Sequence, residues 1–157
     1  MEILYCMKWS LHKKRPIEVI SQSTAFAKHC EGNRYTVVLS EKGVVNNVIE
    51  LDKDGIIVRF MDEKERTYLL YGFRRKNQEE IFLNTVYYYN YENEKEIENI
   101  FYNFQENGEM FIERRDLVTG NIEERESIVN VSCNWEKYPE FGEYSRLIIL
   151  ERETESV

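Results

Sequence analysis

The stretch that decides the fold is Glu79–Glu113, which reads EEIFLNTVYYYNYENEKEIENIFYNFQENGEMFIE. Apolar and polar side chains alternate along 81–91 with the period of two that a β-strand requires. This is the longest strand pattern in the chain. One predicted face holds Ile81, Leu83, Thr85, Tyr87, Tyr89 and Tyr91, and the other holds Phe82, Asn84, Val86, Tyr88 and Asn90. Because both faces are partly aromatic, we expect one covered side and one half-exposed side.

The same stretch carries the charge of the whole protein. It holds nine carboxylates against one base, Lys95, so its net charge of −8 equals that of the full chain. The chain has 11 Tyr and 8 Phe residues, and nine residues of these two types lie in this stretch. Lys and Arg side chains of a partner can lie over tyrosine rings while they pair with nearby carboxylates. The pattern therefore favours a surface that binds a basic protein.

Strand and turn patterns recur on both sides of this stretch. Strands are predicted over 3–9, 35–40, 44–51, 56–61, 66–76, 110–117, 122–135 and 144–150. Residues 94–106 fit helical or strand spacing, and the regular turn spacing favours a strand. In the turn Asp52-Lys53-Asp54-Gly55, the glycine is expected at a positive φ. A short helix is predicted over 17–30, ending at Gly32.

These patterns predict an α+β protein that is mostly antiparallel β. We expect a single domain over 1–157 with a short N-terminal helix and a frayed tail at 151–157. The sheet is expected to be a strongly curved, half-barrel-like meander of about seven to nine strands.

Composition bears on compartment and partners. Residues 1–9 lack the basic and apolar segments of a signal peptide, and the three cysteines are scattered, which is typical of reduced thiols in a cytoplasmic protein. A net charge of −8 disfavours nucleic acid and anionic membranes as ligands. We therefore expect neither as a partner, and the oligomeric state is left open.

No catalytic or cofactor motif is found in the chain. Cys6, His12, His29 and Cys30 match no zinc-binding spacing, and the seven glycines form no phosphate-binding or dinucleotide-binding loop. Glutamates are too numerous for any pair to be singled out as a general acid and base. The sequence predicts a protein that is not an enzyme and holds no cofactor or metal.

The expected partner-binding residues come from the pattern of charge and aromatic side chains. They are Glu79, Glu80, Tyr87, Tyr89, Tyr91, Glu92, Glu94, Glu96 and Glu98. The tyrosines could equally belong to an ordinary half-buried strand whose hydroxyls reach water, and for Tyr88 that interpretation is preferred. The glutamates that directly follow the strand favour an interaction surface for the other tyrosines.

In size, acidity, strand content and the composition of 79–101, the chain resembles the immunity proteins of bacterial polymorphic-toxin and contact-dependent growth inhibition systems. The resemblance implies a cytoplasmic protein that binds a co-encoded basic toxin domain, often a nuclease, and masks its active site. It rests on no diagnostic motif, so no site residue is transferred from it.

The alternative is a small-ligand carrier, in which a lipocalin-like β-barrel surrounds its ligand with aromatic walls. Such a protein would also appear in sequence as a meander of strands. The two classes differ in that a carrier needs one continuous apolar interior, whereas an inhibitor needs an acidic surface patch.

Overall fold

The computed structural model describes residues 1–152 and contains one antiparallel sheet of eleven strands. In chain order, the elements are Glu2–Ser10 (β1), Arg15–Val19 (β2), the helix Gln22–Glu31 (α1), Tyr35–Glu41 (β3), Val44–Leu51 (β4), Gly55–Met61 (β5), Thr67–Arg75 (β6), Glu80–Glu92 (β7), Lys95–Phe104 (β8), Glu109–Asp116 (β9), Ile122–Ile128 (β10) and Trp135–Lys137 (β11). Short 3-10 helices span Ser132–Asn134 and Ser145–Ile148. The predicted α+β, mainly antiparallel class is confirmed, although there are more strands than expected.

The sheet is an open meander. Its order is β10-β9-β8-β7-β6-β5-β4-β3-β1-β2, so consecutive strands are neighbours from β3 to β10. Strand β8 pairs with residues 85–92 of β7, and β11 pairs with Phe82, Ile81 and Glu80 of the same strand. The strand favoured over a helix for 94–106 is confirmed as β8. Because β10 and β2 both lie at ends of the order, the sheet is not closed.

Helix α1 starts later than predicted. The Ser21 hydroxyl accepts a hydrogen bond from the Thr24 amide at 3.1 Å, and Gly32 ends the helix with φ of 72°. These are the capping residues that helix termini prefer. The predicted start at residue 17 was wrong because 15–19 form β2, where Ile17 pairs with Lys8. Pairing with β1 therefore overrides the proline signal for a helix start.

Buried side chains concentrate on one face of β3–β7. The largest of them include Tyr35, Leu39, Ile49, Leu51, Ile56 and Ile81. Helix α1 contributes Ala25, and the C-terminal segment contributes Tyr144 and Leu147 to the same cluster. A second buried cluster contains Val38 and Val48, which alternate with members of the first and so lie on the opposite face.

The strand predicted over 144–150 is wrong. Tyr144 and Leu147 are three residues apart, and both are buried on the core because a 3-10 turn brings them to one side. The Tyr71 hydroxyl lies 3.0 Å from the Ile149 carbonyl and 2.9 Å from that of Leu150, which fixes the segment across the sheet. Apolar content alone could not distinguish this covering segment from a strand.

The long strand predicted over 122–135 is also divided. Strand β10 ends at Ile128, and Asn134 then donates its side-chain amide to the Leu83 carbonyl at 2.8 Å from a buried position. Its backbone belongs to a 3-10 helix that turns the chain toward β7. A buried polar anchor therefore separates β10 from β11.

The first residues of the tail that is predicted to be frayed, Glu151 and Arg152, belong to the described part of the chain. The Arg152 guanidinium contacts Glu136 at 3.3 Å and donates to the Arg146 carbonyl at 2.7 Å. The rest of that tail, residues 153–157, lies outside the described residues. Among residues 1–152, the helices are all too short or too polar to cross a bilayer.

Candidate protein-binding surface

A β-bulge in β7 decides which tyrosines share a face. Gly72 pairs with Thr85, whereas Phe73 pairs with Leu83, so Asn84 is an extra residue in β7. The glycine permits this close approach, since a Cβ at position 72 would lie 3.2 Å from the Thr85 Cβ. One extra residue reverses the alternation beyond it. The predicted division of β7 into two faces is therefore wrong after Leu83.

Directly paired residues lie on the same face of an antiparallel sheet, so the register defines two faces. We call the inner face the one that carries the paired row Val58, Tyr71, Val86, Tyr102, Ile112 and Arg125. The outer face carries the row Arg59, Leu70, Tyr87, Phe101, Glu113 and Glu124. Tyr87 and Tyr89 are on the outer face, and Tyr88 is on the inner face.

Four aromatic rings form a continuous row across the outer face. Tyr87 stacks on Tyr89 with ring centroids 5.7 Å apart and contacts Phe101 at 4.7 Å. Phe101 meets Phe111 edge-on at 6.5 Å. All four side chains are only half-buried. Rigid rings that are already packed together offer a partner a large contact area at a small cost in side-chain entropy.

Carboxylates surround this aromatic row. Burial raises the pKa of the Tyr89 and Tyr91 hydroxyls, and the nearby charge of Glu96 raises both further, whereas Arg59 opposes the shift at Tyr89 and Arg66 opposes it at Tyr91. Glu113, Glu124 and Glu126 lie on the outer face of β9 and β10 by register. The nearby base Arg115 contacts Glu113 at 3.4 Å. The surface is therefore aromatic, with a border that is acidic along β8–β10 and carries the base Arg59 on the β5 side.

Tyr91 is engaged within the protein itself. Its hydroxyl donates to the Thr67 carbonyl at 2.7 Å, and the Arg66 guanidinium lies 4.2 Å from the centre of its ring. Arg66 is in turn paired with Asp62 at 2.9 Å, which lowers the pKa of that carboxyl against the opposing effect of burial. The structure thus uses Tyr91 to join the β5–β6 and β7–β8 turns.

Several of the predicted glutamates are paired with bases from elsewhere in the chain. Glu94 contacts Lys64 at 2.8 Å, and Glu98 contacts Arg114 at 2.8 Å on the inner face. Hydrogen bonds from these bases lower the pKa of both carboxyls. Glu106 likewise pairs with Lys76 at 2.9 Å. The sum of charges over 79–113 therefore overstates the acidity of the folded surface.

The remaining predicted residues lie in different places. Glu92 is exposed at the β7–β8 turn. Glu79 and Glu80 lie at the other end of β7, about 40 Å away at roughly 3.3 Å per residue. There, the amides of both residues donate to the Asn77 side chain at 2.9 Å. Of the nine predicted residues, the fold brings Tyr87, Tyr89, Tyr91 and Glu96 onto the outer face, where Tyr91 is also held by Thr67 and Arg66.

Sequence reasoning missed Phe101, Phe111, Glu124 and Glu126. Their alternation was visible in β8, β9 and β10, but the face that each one occupies depends on the pairing register. That register follows from the bulge in β7 and from a second irregularity between Asn90 and Tyr91. Neither of these has a recognisable signature in the sequence.

The inner face has an apolar groove where the covering segments end. Its volume is about 370 Å³, and its lining includes Tyr71, Tyr88, Tyr102 and Phe104. A larger cleft of about 1160 Å³ at the other end of the sheet is bordered by charged side chains, among them Glu79, Glu136 and Arg146. The open sheet does not enclose either space in the way that a barrel encloses its ligand.

Comparison with known proteins identifies no relative of this chain: no family model, curated protein or solved structure matches it.

Proposed function

We propose that this protein is a cytoplasmic binding protein of the immunity type, whose outer face binds and neutralises a basic toxin domain, as the resemblance in sequence implies. The observation that carries the proposal is the row Tyr89–Tyr87–Phe101–Phe111 with its border of carboxylates. Aromatic residues in a packed, half-buried row are typical of the energetic centre of protein interfaces. The protein has no catalytic role in this proposal.

The charge on the outer face supports a basic partner. Glu96, Glu113, Glu124 and Glu126 outnumber the base Arg115 on the outer face of β8–β10. On the inner face of the same strands, Glu98, Asp116 and Glu123 are balanced by Lys95, Arg114 and Arg125 in the register. A nuclease has a basic groove for its substrate, and an acidic surface can occupy such a groove. Masking of a nuclease active site is the mechanism we propose.

The half-barrel-like curvature expected from the sequence belongs to this proposal, because a bent sheet offers a rounded partner more contact area than a flat one. The carrier alternative receives less support from the fold. A lipocalin-like protein needs an enclosed apolar interior, whereas this sheet has two free edges.

The test uses the toxin domain encoded beside the gene for this protein. The outer-face variant combines Glu96→Gln, Glu124→Gln and Glu126→Gln. A matched control combines Glu41→Gln, Glu140→Gln and Glu143→Gln, three exposed residues outside the outer face of β8–β10. Both variants change the net charge by the same amount. We expect the outer-face variant alone to associate about tenfold more slowly at low salt, measured by stopped-flow or surface plasmon resonance.

A central aromatic side chain should contribute more to the binding free energy than a carboxylate of the border. Tyr87→Ala should weaken binding by about 2 kcal/mol, whereas Tyr88→Ala on the inner face should not. Circular dichroism would verify that each variant is folded. Equal slowing by both charge variants, or failure of the wild-type protein to bind the neighbouring domain, would contradict the proposed function.

A further inference from the structure

The two edges of the sheet differ in how they are protected. Strand β2 has five residues, contains Pro16, and holds Glu18 at a positive φ of 55°. Short length, proline and irregular backbone are the features that prevent an edge from pairing with another chain. Strand β10 has seven residues, all exposed, and pairs with β9 in an unbroken register. It is therefore a regular edge.

The hydrogen bonds at both ends of β10 show which of its backbone groups are free. The Asp116 amide donates to the Asn121 carbonyl, and the Val129 amide donates to the Gly108 carbonyl, each at 2.9 Å. Bonded and non-bonded pairs alternate in an antiparallel ladder. The bonded residues of β10 are thus Glu123, Arg125 and Ser127. The backbone groups that point away from β9 belong to Ile122, Glu124, Glu126 and Ile128.

The side chains of these four residues all lie on the outer face, since they pair with Arg115, Glu113, Phe111 and Glu109 respectively. A strand added beside β10 would therefore place every second side chain on the outer face, separated from Phe111 by Glu126 of β10. Its two central side chains would lie opposite Glu124 and Glu126. Its terminal ones would lie opposite Ile122 and Ile128, which are 52% and 81% exposed.

We propose that the β10 edge binds an extended segment of the partner by strand addition, and that the segment has Lys or Arg at two alternate central positions with apolar residues at its ends. This rests on the proposed function and specifies how the partner is held. Charge selects the occupant. A second copy of β10 in the centred antiparallel register would place Glu124 opposite Glu126 twice, and like charges in that position repel.

The test uses the full-length protein and the acetylated, amidated peptide Val-Thr-Lys-Thr-Lys-Thr-Val, followed by amide NMR. At twice its dissociation constant, the peptide should slow hydrogen exchange of the Ile122, Glu124, Glu126 and Ile128 amides about threefold. The control peptide, with glutamate in place of both lysines, should not slow it. No change at millimolar lysine peptide, or changes confined to the aromatic row, would overturn the inference.

Two substitutions at one position separate strand pairing from charge. Glu124→Pro removes an outward donor without removing a bond to β9, whereas Glu124→Gln keeps the donor. Relative to Glu124→Gln, Glu124→Pro should raise the dissociation constant of the lysine peptide roughly fivefold, which corresponds to the loss of one hydrogen bond. If NMR shows that proline disturbs β10, Glu126→Pro is compared with Glu126→Gln instead. Equal affinities within such a pair would mean that charge alone acts and would overturn strand addition.

Two further outcomes distinguish this inference from the proposed function. If the wild-type protein neutralises the neighbouring toxin domain and Glu124→Pro does so equally well, strand addition fails and the proposed function stands. If the wild-type protein does not neutralise the toxin domain, the proposed function fails, and the peptide experiment then decides whether strand addition stands. A dimer in analytical ultracentrifugation that Glu124→Pro abolishes would identify a second copy as the occupant and overturn the choice of partner.

Discussion

At the scale of single residues, His29 near the end of α1 joins the helix to the aromatic side chains beneath it. Its Nδ1 lies 2.7 Å from the Tyr35 hydroxyl, and its ring packs on Tyr138 and Phe141. Burial, followed by the nearby charge of Arg75, lowers the pKa of the imidazole, and a backbone hydrogen bond with Pro139 only partly opposes this. His29 is therefore neutral at pH 7 in the folded protein, where it forms part of a half-buried aromatic cluster.

The lowered pKa of His29 predicts a specific dependence of stability on pH. Below the ordinary histidine pKa of about 6.5, the unfolded chain binds a proton that the folded protein resists. The free energy of unfolding should therefore fall as pH drops from about 6.5 toward the folded pKa, by at most about 1.4 kcal/mol per pH unit. In urea titrations between pH 7 and pH 5.5, His29→Gln should show a smaller loss than the wild type.

The control for this prediction is His12→Gln, because His12 is exposed in the turn between β1 and β2. We expect its stability profile to follow the wild type. Asp52 and Asp62 do not interfere in this range, since their pKa values are lowered below the ordinary aspartate value. An unchanged slope in His29→Gln would show that folding does not lower the pKa of the imidazole.

At the scale of elements, Gly55 shows how two strands approach each other. The sequence predicted a positive φ at this position, but the structure does not place it among the residues with positive φ. A Cβ there would lie 2.2 Å from the Phe73 carbonyl oxygen of β6. The glycine is therefore required for space at the start of β5, and the turn sequence alone could not reveal that neighbour.

Two glycine substitutions test this difference. Gly55→Ala forces the backbones of β5 and β6 apart and should destabilise the protein by about 2 kcal/mol. Gly43 has φ of 80° with open space around it, so Gly43→Ala should cost only the strain of that conformation, about 1 kcal/mol. Chemical denaturation would measure both values. A larger loss for Gly43→Ala would contradict the steric explanation.

Most strands were predictable because the alternation of apolar and polar residues is a local pattern. The side of the sheet on which each residue lies was not predictable, because it depends on pairing between strands. The strands from Tyr35 to Asp116 follow the sequence pattern closely, including β8. The bulge at Asn84 was missed because it arises from pairing with Gly72, which is twelve residues away in the chain. The sequence pattern predicts a strand from Tyr144 to Leu150, because the burial of this segment depends on the sheet beneath it and not on local alternation. Local patterns thus identified the elements, and tertiary contacts determined their surfaces.

At the scale of the whole molecule, charge cannot be assigned by counting along the chain. The acidic stretch was expected to form one surface, but Lys64, Lys76 and Arg114 fold back onto it and pair with its carboxylates. The outer face instead gains Glu124 and Glu126 from β10, which lies outside the stretch. Sequence reasoning therefore found the centre of the candidate surface in Tyr87, Tyr89 and Glu96 and missed the strands that border it.

Burial divides the sheet into a core and an arm. Strand β3 buries five consecutive residues, from Tyr35 to Leu39, whereas β8, β9 and β10 contain no buried residue. Regions with little buried apolar area open at lower free energy than the global unfolding transition. The candidate surface thus extends from the well-packed part of the sheet, at Tyr87, to the part with the least buried area, at Glu126.

Native-state hydrogen exchange in increasing guanidinium should resolve these two parts. Amides of β3 and β4, such as Val37 and Ile49, should exchange only through global unfolding. Bonded amides of the β9–β10 hairpin, such as Arg125, should exchange through a smaller opening whose free energy is several kcal/mol lower. The bonded amide of Arg125 is the fair comparison, because the outward amide of Glu124 is unprotected in either case. A single free energy of opening for all these amides would show that β9 and β10 unfold together with the core. Binding of a partner to β10 would then not reduce local opening of this hairpin.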